Sequence, residues 1–182
     1  MSSIEIKTNS LTTKSLVEEN PFLTCQLMSK LARKGNLVLL KKFYEEKCPC
    51  PQHSLGKPIS PKWNFQTCSN AALRGSLETL KWLREQGCPW DSRTCSNAAL
   101  GGHFEVLIWA RKNGCPWDEK TCTSATLNGH LPILHWLREE GCPWNDDDCL
   151  AAAYLSGDER VIRYVQEKIV DKNQSLERIF LS

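Results

Sequence analysis

Two kinds of short segment alternate along the chain. One is built of small residues, as in "CSNAAL" at 68–73 and again at 95–100. The other spaces large apolar residues at helical intervals. In "LETLKWLREQ", Leu77, Leu80 and Leu83 form one stripe, the signature of an amphipathic helix. "FEVLIWARKN" and "LPILHWLREE" repeat the scheme at 104–113 and 131–140. The pattern predicts pairs of short helices. The first helix of each pair carries alanines that allow close approach, and the second carries an apolar stripe.

The pairs recur with a fixed step of 27 residues. Cys68, Cys95, Cys122 and Cys149 are in phase, as are Trp63, Trp90, Trp117 and Trp144. So are Cys88, Cys115 and Cys142, and Trp82, Trp109 and Trp136. Residues 68–94 and 95–121 are identical at 17 of 27 positions. Identity at that level makes this an internal repeat, and periods of this size mean stacked supersecondary units.

Boundaries within the unit follow from residue chemistry. Thr67, Thr94, Thr121 and Asp148 hold one phase and are expected to cap the first helix, since each side-chain oxygen can accept a free backbone N–H. The first helix should stop at Gly75, Gly102 and Gly129, and the second at Gly87, Gly114 and Gly141, where glycine suits a left-handed cap. Pro132 falls in a first helical turn, where a missing N–H costs little. His103 and His130 recur just after a glycine and are expected to help cap the second helix. "GCPWD" therefore marks the joint between units: glycine ends a helix, Cys and Trp fill the joint, and Pro blocks continuation.

The repeat extends outward more loosely. "KGNLVLLKKFYEEKCPC" (34–50) matches 74–90 at an offset of 40. That leaves an insertion near "PQHSLGKPISPK" (51–62), whose prolines and glycine suit a loop. "AAAYLSGDERVIRYVQEKIV" (151–170) reads as one more pair. The expected organisation is a flexible segment over 1–20, a repeat domain of about five units over 21–172, and a tail or capping helix over 173–182. The fold class is all-α, a solenoid of stacked helix-turn-helix repeats.

Composition narrows the partners. The formal charge is +2, and Lys41-Lys42 is the nearest approach to a basic block. The footprint of a nucleic-acid binder is missing. No apolar run approaches the length of a membrane span, and "MSSIEIKTNSLTTKSLVEEN" lacks a signal-peptide core. These features point to a soluble, cytoplasmic monomer with neither nucleic acid nor membrane as partner.

"TCSNAALGGHFEVLIWARKNGCPWD" resembles an ankyrin repeat. Thr94 to Ala99 falls where that family has Thr-Pro-Leu-His and paired alanines, "GGHFEV" matches its Gly-His motif, and "NGCPWD" matches its closing Gly-Ala-Asp. The resemblance covers roughly 25–170. Family repeats run near 33 residues, so the connection between Gly87 and Thr94, where the family builds a projecting β-hairpin, is shortened here. The usual family histidine is replaced by Asn97. The compact Cys-Pro-Trp-Asp form is similar to repeats in ankyrin proteins of large DNA viruses of protists and of some protists. The resemblance implies an ankyrin-like solenoid that binds protein partners.

The chain has ten cysteines. The periodic ones read as small buried thiols in the joints. Equivalent atoms in stacked ankyrin-like units lie about 10 Å apart, beyond the Cα separation of about 7 Å that a disulfide spans. Bridges between unlike phases, such as Cys88 with Cys95, stay open. One cluster is irregular: Cys48, Cys50 and His53 in "CPCPQH". It supplies three ligands where a metal takes about four, and a zinc- or redox-responsive module there is a minor alternative. The seven tryptophans are all in phase, so burial between units explains them. No nucleophile elbow, phosphate loop or His-Glu-x-x-His is present, and no enzyme activity, metal or cofactor is expected.

Function is expected where the units differ. The triplets at 64–66, 91–93, 118–120 and 145–147 read "NFQ", "DSR", "DEK" and "NDD", and the residue before the first-helix glycine is Arg74, Gly101 or Asn128. The candidate partner-binding residues, placed on loop tips and first-helix edges, are Phe65, Gln66, Arg74, Ser92, Arg93, Glu119, Lys120, Asn128, Asp146 and Asp147. The expected function is a non-catalytic protein-interaction scaffold, one engaging a host factor if the viral resemblance holds. The alternative is an adaptor recruiting substrates to a ubiquitin ligase, for which the short ends offer no F-box-like segment.

Overall fold

The computed structural model describes residues 21–45 and 63–180. Within them ten helices and no strands form. They are α1 (Pro21–Lys34), α2 (Leu37–Glu45), α3 (Phe65–Arg74), α4 (Leu77–Glu85), α5 (Ser92–Leu100), α6 (Phe104–Lys112), α7 (Glu119–Leu127), α8 (Leu131–Glu139), α9 (Asp146–Ser156) and α10 (Glu159–Phe180). Successive helices pair into five layers, and the first helices α1, α3, α5, α7 and α9 each pack on the next. The chain is thus a helical repeat stack. Residues 173–180 continue α10 without a break.

Residue size explains the layering. First helices meet through fully buried Ala71, Ala72, Ala98, Ala99, Ala125 and Ala153, which let the backbones approach. Second helices insert Leu80, Leu83, Leu107, Leu134, Leu137, Val161 and Val165 beneath them, all buried. Each such side chain contributes about 1.5–3 kcal/mol relative to exposure.

Both helices of a layer end in the same way. Gly87, with φ 77°, follows α4. Its N–H bonds the Arg84 carbonyl, and the Cys88 N–H bonds that of Leu83. Gly114 with Cys115 and Gly141 with Cys142 repeat this after α6 and α8. First helices close likewise, with Ser76, His103 and His130 in the place of the cysteines. This is the Schellman arrangement, which satisfies the last free carbonyls and turns the next side chain back onto the helix. It turns Cys88, Cys115 and Cys142 into the core.

The first-helix caps differ from the expectation. Asn64, Asp91, Asp118 and Asn145 are the N-caps, accepting from the N–H groups of Thr67, Arg93, Lys120 and Asp148. Thr67, Thr94 and Thr121 sit at the third helical position and are buried. The Asp118 N–H donates to Thr121 Oγ1 at 3.4 Å, completing a capping box. An acid or amide outside the helix meets the free N–H groups, while the threonine methyl packs inside.

The joint tryptophans are half-buried wedges. Trp90 lies between the Arg84 guanidinium, 4.1 Å from its ring centroid, and Trp109 of the next layer, 5.9 Å away edge-on. Trp117 repeats this with Arg111 at 4.0 Å and Trp136 at 5.9 Å. Each arginine also donates to the carbonyl of the joint cysteine: Arg84 to Cys88, and Arg111 to Cys115 at 3.0 Å. One guanidinium therefore fixes both the turn and the ring.

Candidate interaction surface

Stacking first helix on first helix brings their equivalent positions into rows. Phe65, Ser92, Glu119 and Asp146 open α3, α5, α7 and α9, and Gln66, Arg93, Lys120 and Asp147 follow them. The predicted triplets are therefore caps and first helical turns rather than loop tips. The capping side chains at 64, 91, 118 and 145 draw these residues into the helix, which leaves the joint too short to project.

Half of the ten candidates are tied to their own fold. The Arg93 guanidinium pairs with Asp91 at 2.7 Å and covers the Phe65 ring at 4.6 Å, linking two layers. Ser92 Oγ donates to Asp118 Oδ2 at 2.7 Å, and Asn128 Nδ2 donates to the Leu100 carbonyl at 2.7 Å. Asp146 accepts from Trp144 Nε1 and Lys172 Nζ, both at 2.6 Å. The Lys172 ammonium holds its carboxyl below the usual carboxylate range. Gln66 makes only a 3.5 Å bond to Asn70 on its own helix. Arg74, Glu119, Lys120 and Asp147 are exposed. The second row thus changes along the stack from a neutral amide through two cations to a carboxylate.

No family model matches the chain, and no curated protein matches it.

One row escaped the sequence reading. Leu73, Leu100 and Leu127 are also 27 apart. Each lies near the end of its first helix, half-buried in the first two cases and 38 % exposed at Leu127. Leu100 and Leu127 wall a shallow depression of about 630 Å³, whose rim includes Gly101, Asn128, His130 and Asp158. The signal was visible as a periodic leucine, but it reads equally as core.

The recurrent histidines occupy the N-cap positions of α6 and α8, their carbonyls accepting from Leu107 and Leu134, but their side chains make no cap bond. Instead His103 Nε2 lies 3.1 Å from the Leu73 carbonyl, and His130 Nε2 lies 3.3 Å from that of Leu100. Each reaches back one layer. Asn97 makes a parallel link, its Nδ2 donating to the Ser69 carbonyl at 3.2 Å, as Asn70 does to Ser29. Asn97 and Asn70 thus each tie a first helix to the one in the layer before.

Cys48, Cys50 and His53 lie outside the described residues. Among the described residues no group of three or more His, Cys, Asp or Glu side chains converges as a metal site. No described helix is long and apolar enough to cross a membrane.

Proposed function

We propose that the chain is a compact ankyrin-like scaffold that binds a partner protein, without catalysis, along the exposed edges of its first helices. The observation that carries this reading is the row Gln66, Arg93, Lys120 and Asp147. One buried framework holds these four positions in register while their chemistry changes along the stack, from amide through two cations to carboxylate. A repeat stack needs its shared residues to bury one layer against the next, which leaves the unshared, exposed ones to select a partner. The left-handed glycines after both helices support the ankyrin likeness. The partner this row fits is one of mixed polarity, with acid opposite Arg93 and Lys120 and base opposite Asp147. The neighbouring leucine row adds apolar contact.

The test is a pull-down from cell extract with the purified chain as bait. Arg93→Glu with Lys120→Glu should lose a protein that the unaltered chain recovers. Reversing Glu78 and Lys81, an ion pair at 3.0 Å on α4, should retain it. Equal recovery with both double variants would reject this face.

A further inference from the structure

Each joint tryptophan carries one partner on its ring face. Arg84 lies over Trp90 at 4.1 Å, Arg111 over Trp117 at 4.0 Å and Arg138 over Trp144 at 4.6 Å. In the first layer Tyr44 stacks on Trp63 instead, with ring centroids 5.7 Å apart and planes within 12°. Four platforms therefore follow one another along the stack, one neutral and three cationic. All eight side chains are half-buried, so each platform keeps part of its surface open.

The three cations are not neutralised within the fold. A guanidinium has five N–H donors, and one goes to a joint carbonyl: Arg84 donates to Cys88, Arg111 to Cys115 at 3.0 Å and Arg138 to Cys142 at 3.5 Å. Among the described residues no carboxylate forms an ion pair with any of the three. Glu139, next to Arg138 in sequence, pairs with His135 at 3.2 Å. Tryptophan and arginine are the residue types that most often anchor protein interfaces.

We propose that this ladder docks an extended acidic segment of another protein, in polyproline II conformation, with a carboxylate at every third residue. Charge selects the first part of that description, since three unneutralised cations in one row call for anions. Spacing selects the second. Packed helices lie about 8–10 Å apart, which sets the step from one platform to the next. A polyproline II strand returns to the same side every three residues, a step of about 9 Å. Each carboxylate then meets one guanidinium in a charge-assisted hydrogen bond. The prolines between them lie against the rings, as in other aromatic-lined grooves. The Tyr44–Trp63 platform has no cation and takes an apolar residue beyond the last acid. This surface uses the joints and second helices, and it stands independently of the first-helix row.

The experiment titrates the full chain with a fluorescein-labelled peptide of four Glu-Pro-Pro units, read by anisotropy and by tryptophan emission. Saturable binding with a shift in tryptophan emission is expected. Raising salt from about 0.05 to 0.5 M should weaken it by about tenfold or more. A peptide of four Glu-Pro-Pro-Pro units has the same charge but turns successive glutamates to different sides, and should bind about tenfold more weakly. Four Lys-Pro-Pro units should not bind. Arg111→Gln should weaken binding about tenfold, while Lys112→Gln, which removes the neighbouring exposed charge, should change it less than about twofold. If Arg111→Gln does not fold, the comparison of the two glutamate peptides on the unaltered chain decides alone. Equal affinity for those two peptides would overturn the proposal, as would equal effects of the two variants. So would tighter binding of an oligothymidylate, which would make the ladder a platform for nucleic-acid bases.

Discussion

The Nε2 of His103 sits 3.1 Å from the carbonyl oxygen of Leu73, one layer back. A carbonyl can only accept, so the ring donates. This bond spends one of the carbonyls that α3 leaves free at its end. The same ring explains two glycines. A Cβ on Gly75 would lie 2.4 Å from His103 Nδ1, and one on Gly101 would lie 2.5 Å from its Cδ2. Gly75 also needs its left-handed φ of 76°. Gly101 does not, since its φ is −78°, so its missing side chain answers to packing alone.

Gly101→Ala should therefore destabilise the chain, although alanine normally favours a helix. Its Cβ would meet the Leu73 carbonyl at 2.7 Å as well as the ring, and overpacking of this kind costs about 1–3 kcal/mol. His103→Ala loses a hydrogen bond and buried ring contacts, also about 1–3 kcal/mol. The double variant should lose less than the sum, because removing the ring opens half of the crowded space. Urea denaturation of the two single variants and the double measures the coupling. Additive losses would mean that the ring and Gly101 do not compete.

The corrected caps make a second prediction. Asp118→Ala should cost about 1–2 kcal/mol, since it removes the bond to the Lys120 N–H and the acceptor of Ser92 Oγ from the layer before. Asp118→Asn should restore most of that loss. Thr121→Val should be milder, because a buried methyl survives and only the 3.4 Å reciprocal bond is lost. Thermal unfolding of the three variants orders them. A larger loss at Thr121 than at Asp118 would return the cap to threonine.

The periodic core was legible in the sequence because its cause is local. A glycine forced to positive φ, a proline past a helix and a three-residue leucine step each carry their own geometry. Thr67, Thr94 and Thr121 misled because threonine suits both a cap and the third helical position. Only the Asn or Asp three residues earlier, in a stretch that also reads as a turn, decides between them. The histidines hold the expected cap positions, but the use of their rings was hidden for another reason. Their partner carbonyls lie 30 residues back, and no local pattern shows which chain segment stacks above. The leucine row at 73, 100 and 127 shows the limit for the surface. Periodicity says that a position matters to every layer, and only burial says whether it faces its neighbours or the outside.

Acid should loosen the last layer before the others. Lys172 of α10 reaches the opening turn of α9, where its ammonium is 2.6 Å from Asp146 Oδ2. The Trp144 indole N–H bonds the other oxygen of that carboxylate. The Asp146 carboxyl is held below its ordinary range, first by Lys172. A group whose pKa is lower folded than unfolded adds stability that is complete above the unfolded value and lost as pH falls through the folded one. The tie should thus be intact at neutral pH and weaken below the ordinary aspartate pKa of about 4. Both partners are partly solvated, with 29 % and 51 % of their side chains exposed, so the contribution is about 1 kcal/mol or less. Lys172→Met should lower stability at pH 7 by about that amount and have little effect at pH 2, flattening the acid limb of the profile. Amide exchange in α9 and α10, followed from pH 7 to pH 3, would locate the change. Equal loosening of α5 and α6 would place the acid-sensitive contact elsewhere in the stack.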